Sequence, residues 1–167
     1  AMDHRSPLEG VVVRAVSPSS MAVQWCLEKY FEELDKRLPE GLDRDRDALA
    51  DHTEFSGAGC LFLVASVDGH WVGCGGLKRC TSASAYIKRM WVDEAWRGKG
   101  LGRRLLTLLE DQAKGLGYSV VKLETNRLLH EAIQLYRTQG YQGVTPFVEE
   151  PCADYWFEKS LDPGLPE

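Results

Sequence analysis

This sequence has few of the residue patterns that are typical of metal centres, disulfide frameworks and membrane spans. The four histidines show no H-x-x-x-H spacing and the five cysteines form no C-x-x-C pair, so no metal site is predicted. An odd number of cysteines cannot all pair, and we expect reduced thiols in a cytoplasmic protein. No apolar run reaches the roughly 18–20 residues that cross a membrane, and the first residues lack the pattern of a signal peptide.

Neither sign of charge is in large excess. The 167 residues include 20 Lys and Arg against 25 Asp and Glu, a net charge of −5, which does not favour a general nucleic-acid binder. With 44% hydrophobic residues and no internal repeat, the composition is typical of one globular domain. We expect residues 1–9 to be a tag remnant or disordered N-terminus, 10–162 to form the domain, and 163–167 to be a C-terminal tail.

Hydrophobic periodicity predicts an α/β (α+β) fold. The predicted strands span 11–16, 61–67, 70–77, 85–92, 119–125, 142–146 and 154–160, and the predicted helices span 21–38, 101–116 and 129–139, with a short one near 46–51. Asp68-Gly69 between two apolar runs indicates a hairpin. The order strand, helix, strand over 85–125 predicts a parallel pair. We therefore expect a mixed sheet of about six to seven strands with helices on both faces.

A glycine-rich turn, Arg97-Gly98-Lys99-Gly100-Leu101-Gly102-Arg103-Arg104, lies between a predicted strand and a leucine-rich helix. Its glycines allow a tight turn, and the free N–H groups in the first turn of the helix favour an anion. Because four cationic side chains are nearby, a diphosphate is a better match than a carboxylate. A dinucleotide fingerprint fails because Arg103 occupies its third glycine position, and no P-loop pattern occurs. The alternative is a tight connection whose charges are simply solvated.

Several motifs in order resemble the GNAT superfamily of acyl-CoA-dependent N-acyltransferases. Arg97, Gly100 and Gly102 match the family motif [RQ]-x-x-G-x-[GA], and the strand Ile87–Val92 resembles the one that precedes it. The further matching segments are Leu123-Glu124-Thr125-Asn126, Ala132-Ile133-Gln134-Leu135-Tyr136, Gly140-Tyr141 and Tyr155–Leu161. The resemblance covers about residues 10–162, nearly the whole chain.

The resemblance implies a particular way of binding acetyl-CoA as a cosubstrate, without a metal. A bulge in the strand before the motif splays it from the next parallel strand, and the pantetheine arm enters the gap. Main-chain groups of Met90, Trp91 and Val92 would then face pantetheine and the acetyl carbonyl, and Asn126 would lie beside the arm. The residues implied to hold the pyrophosphate are Arg97, Gly98, Lys99, Gly100, Leu101, Gly102 and Arg103.

The same resemblance implies catalytic groups. Tyr136 matches the family tyrosine that protonates the leaving thiolate, although its helical spacing also fits a core aromatic residue. The family often has a glutamate on the strand before the motif, where this chain has Tyr86. Glu124 on the next strand is the candidate carboxylate, and a structural ion pair is its alternative role. A water wire or an amine that arrives neutral would need no dedicated base.

The predicted function is transfer of an acetyl group from acetyl-CoA to an amine of a small molecule or peptide by direct attack. A non-catalytic acyl-CoA-binding or regulatory module on the same fold is the alternative. We expect neither nucleic-acid nor membrane partners, and a monomer or homodimer. The sequence leaves the acceptor open: Trp25, Tyr30, Phe31, Tyr141 and Phe147 fit core packing better than a pocket, and Glu149-Glu150 is typical of a solvated loop.

Overall fold

A mixed sheet forms the centre of the protein in the computed structural model, which describes residues 6–38, 52–150 and 152–161. Its strands are β1 (Val12–Ala15), β2 (Leu61–Val67), β3 (His70–Arg79), β4 (Ser84–Val92), β5 (Val120–Thr125), β6 (Gln142–Val144) and β7 (Tyr155–Ser160). The helices are α1 (Met21–Arg37), α2 (Leu101–Gly115) and α3 (His130–Thr138), with short 3-10 turns at His52–Phe55 and Glu94–Trp96.

The strands of the described segments follow the order β1-β2-β3-β4-β5-β7-β6. Within this sheet β4 and β5 run parallel, and every other neighbouring pair is antiparallel. The predicted fold class is confirmed. The short helix predicted near 46–51 lies outside the described residues.

Local sequence chemistry determines where these elements begin and end. Ser20 caps α1 by accepting a hydrogen bond from the Val23 N–H at 3.4 Å, and the helix gives way to extended backbone at Leu38, the residue before a proline. Asp68 and Gly69 have φ values of 49° and 78°, the left-handed backbone that a two-residue hairpin turn requires. The hairpin predicted from Asp-Gly therefore joins β2 and β3.

Helices cover both faces of the sheet, and β4 contributes side chains to the core on each face. Ala85 and Ile87 belong to the hydrophobic cluster formed with α2 and α3. Trp91 belongs to the cluster on the opposite face, formed with α1. On the α1 face, a Cβ at Gly76 would lie 2.4 Å from the ring of Phe55, so only glycine lets the turn His52–Phe55 approach the sheet this closely.

The parallel pair separates along its length. The strands pair only from Ser84 to Tyr86 on β4 and from Val120 to Lys122 on β5. Beyond that point, Arg89 has a φ of 61°, and the β3–β4 register shifts between Cys74 and Gly76, which marks a bulge in β4. The expected splayed pair is thus present, and a cleft opens between the strands.

None of the helices in the described part of the chain is both long and apolar enough to cross a bilayer.

Candidate active site

A large cleft of ≈ 770 Å³ lies beside the end of β4, past the point where the pairing of β4 with β5 stops. Side chains of α1 and α3 line it as well, among them Tyr30, Arg37 and Tyr136. The residues predicted to bind the cosubstrate that line this cleft are Met90, Trp91, Val92, Arg97, Gly98, Gly100, Leu101, Gly102 and Arg103. The structure therefore gathers the end of β4 and the glycine-rich turn around one space.

The glycine-rich turn delivers free N–H groups to this cleft. Gly98 and Gly100 have φ values of 74° and 88°, which residues with a side chain rarely adopt. Gly100 is the N-cap of α2. The first helical hydrogen bond runs from the Arg104 N–H to the Gly100 carbonyl at 3.0 Å. The N–H groups of Leu101 and Gly102 precede that bond, so they have no partner inside the helix and can bind an anion.

Arg97 fixes the turn to the elements beside it. Its Nε donates to the Val92 carbonyl at 3.1 Å, and its guanidinium forms an ion pair with Glu33 of α1 at 3.1 Å. A second arginine, Arg37, donates to Glu131 of α3, with one of these hydrogen bonds at 3.0 Å. That hydrogen bond raises the pKa of Arg37 and lowers the pKa of Glu131. These contacts join α1 to both other walls of the cleft.

Two of the residues predicted to bind the cosubstrate lie away from the lining of the large cleft. The Lys99 ammonium sits over the Trp96 ring, 5.1 Å from its centroid. Asn126 uses Nδ2 to donate to the Cys152 carbonyl at 2.8 Å and Oδ1 to accept from the Leu128 N–H at 2.9 Å. Its side chain organises the loop after β5, beside a second, smaller cavity.

This small cavity of ≈ 110 Å³ adjoins the large cleft. The two spaces share the lining residues Tyr30, Leu34, Met90, Leu129, Ala132 and Tyr136. The polar side chains on the small cavity include Lys88, Arg89, Glu124, Asn126 and Glu150. Sequence reasoning identified Glu124 and Asn126 as site residues but missed Lys88 and Arg89. It also favoured a core position for Tyr30.

Tyr136 lies at the junction of the two spaces and is 8% exposed. Its ring is 5.8 Å from that of Tyr141 and 6.0 Å from that of Phe157, so it also contributes to the core. Burial raises the pKa of the phenol, and the nearby Tyr30 and Glu124 raise it further. The hydroxyl therefore keeps its proton at neutral pH and can act as a donor.

Glu124 and Tyr86 lie side by side on the neighbouring strands β5 and β4. Tyr86 is buried, and Oε2 of the half-buried Glu124 is itself inaccessible, with no hydrogen-bond partner among the described residues. Burial raises the pKa of Glu124, and Glu150 raises it further against the opposing effects of Tyr86, Lys88 and Arg89. Burial and the neighbouring Glu124 carboxylate raise the pKa of Tyr86. Glu124 is thus a carboxylate with an unpartnered oxygen and increased basicity.

The sequence of this chain matches a known protein family. The sequence profile of the Acetyltransferase (GNAT) family matches residues 22–141. The chain belongs to the GNAT family. The predicted family and enzyme class are confirmed, and the GNAT family uses acetyl-CoA.

Two curated relatives cover most of the chain. An IAA acetyltransferase of Azospirillum brasilense is 35% identical over 141 residues, which are 84% of this chain and 90% of the relative. An uncharacterized N-acetyltransferase of Escherichia coli, YjgM, is 33% identical over 149 residues, 86% of this chain and 88% of the relative.

Solved GNAT structures share the fold at lower identity. An acetyltransferase of the family from Staphylococcus aureus superposes with a TM-score of 0.77 at 19% identity, covering 90% of this chain and 99% of that one. The putative acetyltransferase yncA from Salmonella typhimurium, solved with acetyl-CoA, gives a TM-score of 0.70 at 19% identity, covering 93% and 96%. In this GNAT chain, no group of three or more His, Cys, Asp and Glu among the described residues could hold a metal ion.

Proposed function

We propose that this GNAT-family chain transfers the acetyl group of acetyl-CoA to an amine of a small molecule or peptide by direct attack. One observation supports this most strongly. The gap between β4 and β5 opens onto the glycine-rich turn at one end and onto Tyr136 and the small cavity at the other. An acyl donor extended along the gap would bring its thioester to the junction of the two spaces.

The residues around the large cleft fit a coenzyme A donor. The N–H groups at the start of α2 would bind the pyrophosphate, with the Arg103 side chain adding positive charge. Pairing with β5 ends at Tyr86, so the edge of β4 from Ile87 onward offers main-chain groups to the amides of pantetheine. Arg97 would act here by holding the turn in place, since its guanidinium already binds Val92 and Glu33.

Glu124 and Tyr136 would handle the protons of the reaction. Acetyl-CoA supplies the acyl group as a thioester. The neutral amine attacks the carbonyl carbon, the N–C bond forms, and the C–S bond breaks with its electron pair leaving on sulfur. Glu124 would accept the proton from the amine nitrogen, directly or through one water, and Tyr136 would donate its proton to the sulfur. Proton return from Glu124 through water would restore Tyr136, so the net reaction gives an amide and free CoA.

A backbone N–H near Trp91 or Val92 would stabilise the oxyanion that develops on the carbonyl oxygen. These residues line the large cleft next to the junction, within the stretch of β4 that no longer pairs with β5. The raised pKa of Glu124 supports its role as the base, because a carboxylate with a higher pKa is a better proton acceptor. Tyr86, which lies beside Glu124, would help to orient the carboxylate.

The test is release of free thiol from acetyl-CoA in the presence of a panel of amines, with calorimetry for CoA binding in parallel. We expect both amine-dependent thiol release and CoA binding. Binding of CoA without transfer to any amine would contradict the proposal and favour a non-catalytic acyl-CoA-binding module. A cytoplasmic location, a monomeric or homodimeric state and the domain bounds 10–162 stay predictions.

A further inference from the structure

The two cationic side chains on the β4 wall of the small cavity share their hydrogen-bonded carboxylate with a third cation. Glu54, on the turn His52–Phe55, accepts from Lys78 at 3.3 Å, from Lys88 at 2.8 Å and from Arg89 at 3.4 Å. One carboxylate therefore serves three cations. Lys88 and Arg89 line the cavity, whereas Lys78 does not.

Arg89 is held in this wall by an unusual backbone conformation. In a regular strand, Lys88 and Arg89 would point to opposite faces. The bulge, with φ of 61° at Arg89, places both side chains on the α1 face, where the Arg89 guanidinium lies 5.8 Å from the Tyr30 ring and 5.5 Å from the Phe31 ring. A left-handed arginine costs about 1–2 kcal/mol, and such strain is concentrated at functional sites.

One donor of this guanidinium has no partner. Arg89 is 8% exposed, and its buried Nε makes no hydrogen bond to the described residues. The Glu54 contact, at 3.4 Å, is long for a charge-assisted hydrogen bond. A buried guanidinium with an unused donor calls for a further acceptor, and a carboxylate matches its geometry best.

The β5 wall of the same cavity carries the opposite charge. Glu124 lies there with an unpartnered Oε2, and Glu150 follows on the loop that also lines the cavity. The volume of the small cavity, ≈ 110 Å³, corresponds to the volume that about four water molecules occupy in the liquid. It suits a small head group with a cationic and an anionic end, and it is too small for a folded peptide.

We propose that the acceptor is a free amino acid or similar small amino-carboxylate, whose carboxylate binds Arg89 and Lys88 while its amine faces Glu124. This inference rests on the proposed N-acetyl transfer and narrows its substrate class. The N-terminal amine of a peptide has no carboxylate at this spacing. Such a peptide would leave the Arg89 Nε without an acceptor.

The experiment measures acetyl-CoA-dependent thiol release with α-, β- and γ-amino acids, each compared with its own primary amide. The amide keeps the amine and the shape but removes the negative charge. We expect kcat/KM for the accepted acid to exceed that of its amide on the order of 10²-fold, because the amide leaves a buried charge unpaired. Arg89→Gln or Lys88→Gln should reduce this ratio about 10-fold or more by raising KM for the acid, with KM for acetyl-CoA unchanged.

Lys78→Gln is the matched control. It removes the third cation from Glu54 but none from the cavity lining, so the acid-to-amide ratio should stay that of the parent protein. Lys88→Gln also covers the case in which Arg89→Gln does not fold, because Lys88 lies before the left-handed residue. If Lys78→Gln reduces the acid-to-amide ratio as much as Lys88→Gln or Arg89→Gln does, the three cations around Glu54 have a structural role and the proposal is overturned.

The outcomes separate this inference from the proposed function. If amides or simple alkylamines are acetylated as well as the acids, the substrate class is wrong while N-acetyl transfer stands. If no amine is acetylated, the proposed N-acetyl transfer is wrong, and the substrate class is then tested by calorimetric measurement of amino-acid binding. Binding of an amino acid, but not of its amide, to the CoA-loaded protein supports the inference when Lys88→Gln abolishes it. Absence of such binding overturns it.

Discussion

The glycine-rich turn can be tested with two substitutions that differ in charge alone. Gly100 has a φ of 88°, and a Cβ built there would meet only the Arg103 Nη2, at 3.8 Å. Asn and Asp have similar shapes and are the side chains that best tolerate this backbone region. Gly100→Asn and Gly100→Asp should therefore share the same backbone strain, about 1 kcal/mol.

The magnitude of the charge effect follows from the position of Gly100 at the N-cap of α2. A carboxylate there would lie about 4 Å from a phosphate held by the first turn, where two unit charges interact by about 1 kcal/mol in water and about 4 kcal/mol at a protein surface. It would also pair with Arg103, withdrawing that guanidinium from the ligand. Gly100→Asp should thus bind CoA between about 5-fold and about 10³-fold more weakly than Gly100→Asn.

Thermal unfolding of the free proteins should show the opposite order. A negative charge stabilises a helix N-terminus, so Gly100→Asp should unfold at the same or a higher temperature than Gly100→Asn. Calorimetric titration with CoA gives the affinities, and dephospho-CoA serves as a second ligand with the same pyrophosphate. Equal CoA affinity of the two variants would refute the placement of the pyrophosphate at this turn.

Three further perturbations test the remaining parts of the site. Tyr136→Phe should lower kcat on the order of 10²-fold with little change in CoA affinity, and an unchanged kcat would remove Tyr136 from the mechanism. Tyr141→Phe is the control, because it removes a buried hydroxyl that donates to Glu110 outside both spaces, and it should leave kcat unchanged. Glu124 must be ionised to act as a base, so kcat should fall as the pH drops through a pKa above the ordinary 4.5. Glu124→Gln should lower kcat by about 10² to 10⁴-fold and abolish that acid limb, and a limb that persists would indicate another base. Burial opposes ionisation of Glu54, but Lys88, Arg89 and Lys78 together lower its pKa below the ordinary 4.5. Ionised Glu54 therefore stabilises the folded protein above pH 4.5, and this stabilisation is lost as the pH falls through the lowered pKa. Glu54→Gln should cost about 1–3 kcal/mol near neutral pH and flatten the acid side of the stability profile, as chemical denaturation at several pH values would show.

The fold could be predicted because its determinants are local. The Asp68-Gly69 turn, the leucine stripe of α2 and the glycine after each later helix act within a few residues of themselves. The parallel β4–β5 pair followed from the single helix between these strands. Strand order beyond that pair depends on contacts far apart in sequence, which no short pattern specifies.

The candidate site could be predicted only where the backbone itself forms it. Glycines that need positive φ indicated the turn at 98–102, and Gly98 and Gly100 have such φ values. The side chains of Lys99 and Asn126 were harder to place, because Trp96 attracts one and the Cys152 carbonyl binds the other. Arg89 could not be identified, since alternation along β4 places it on the wrong face unless the bulge is known.

The bulge links the two halves of the proposed reaction. Its backbone is held in place by Cys74, whose thiol donates to the Arg89 carbonyl at 3.2 Å, and its side chain by Glu54 at 3.4 Å. A regular strand would keep β4 paired with β5, which would close the gap for pantetheine. It would also turn the Arg89 guanidinium away from the α1 face, leaving the small cavity with Lys88 alone. In the proposed reaction, this one left-handed residue would therefore open the donor path and supply charge to the acceptor cavity, so any change that regularises β4 should impair donor binding and acceptor selection together.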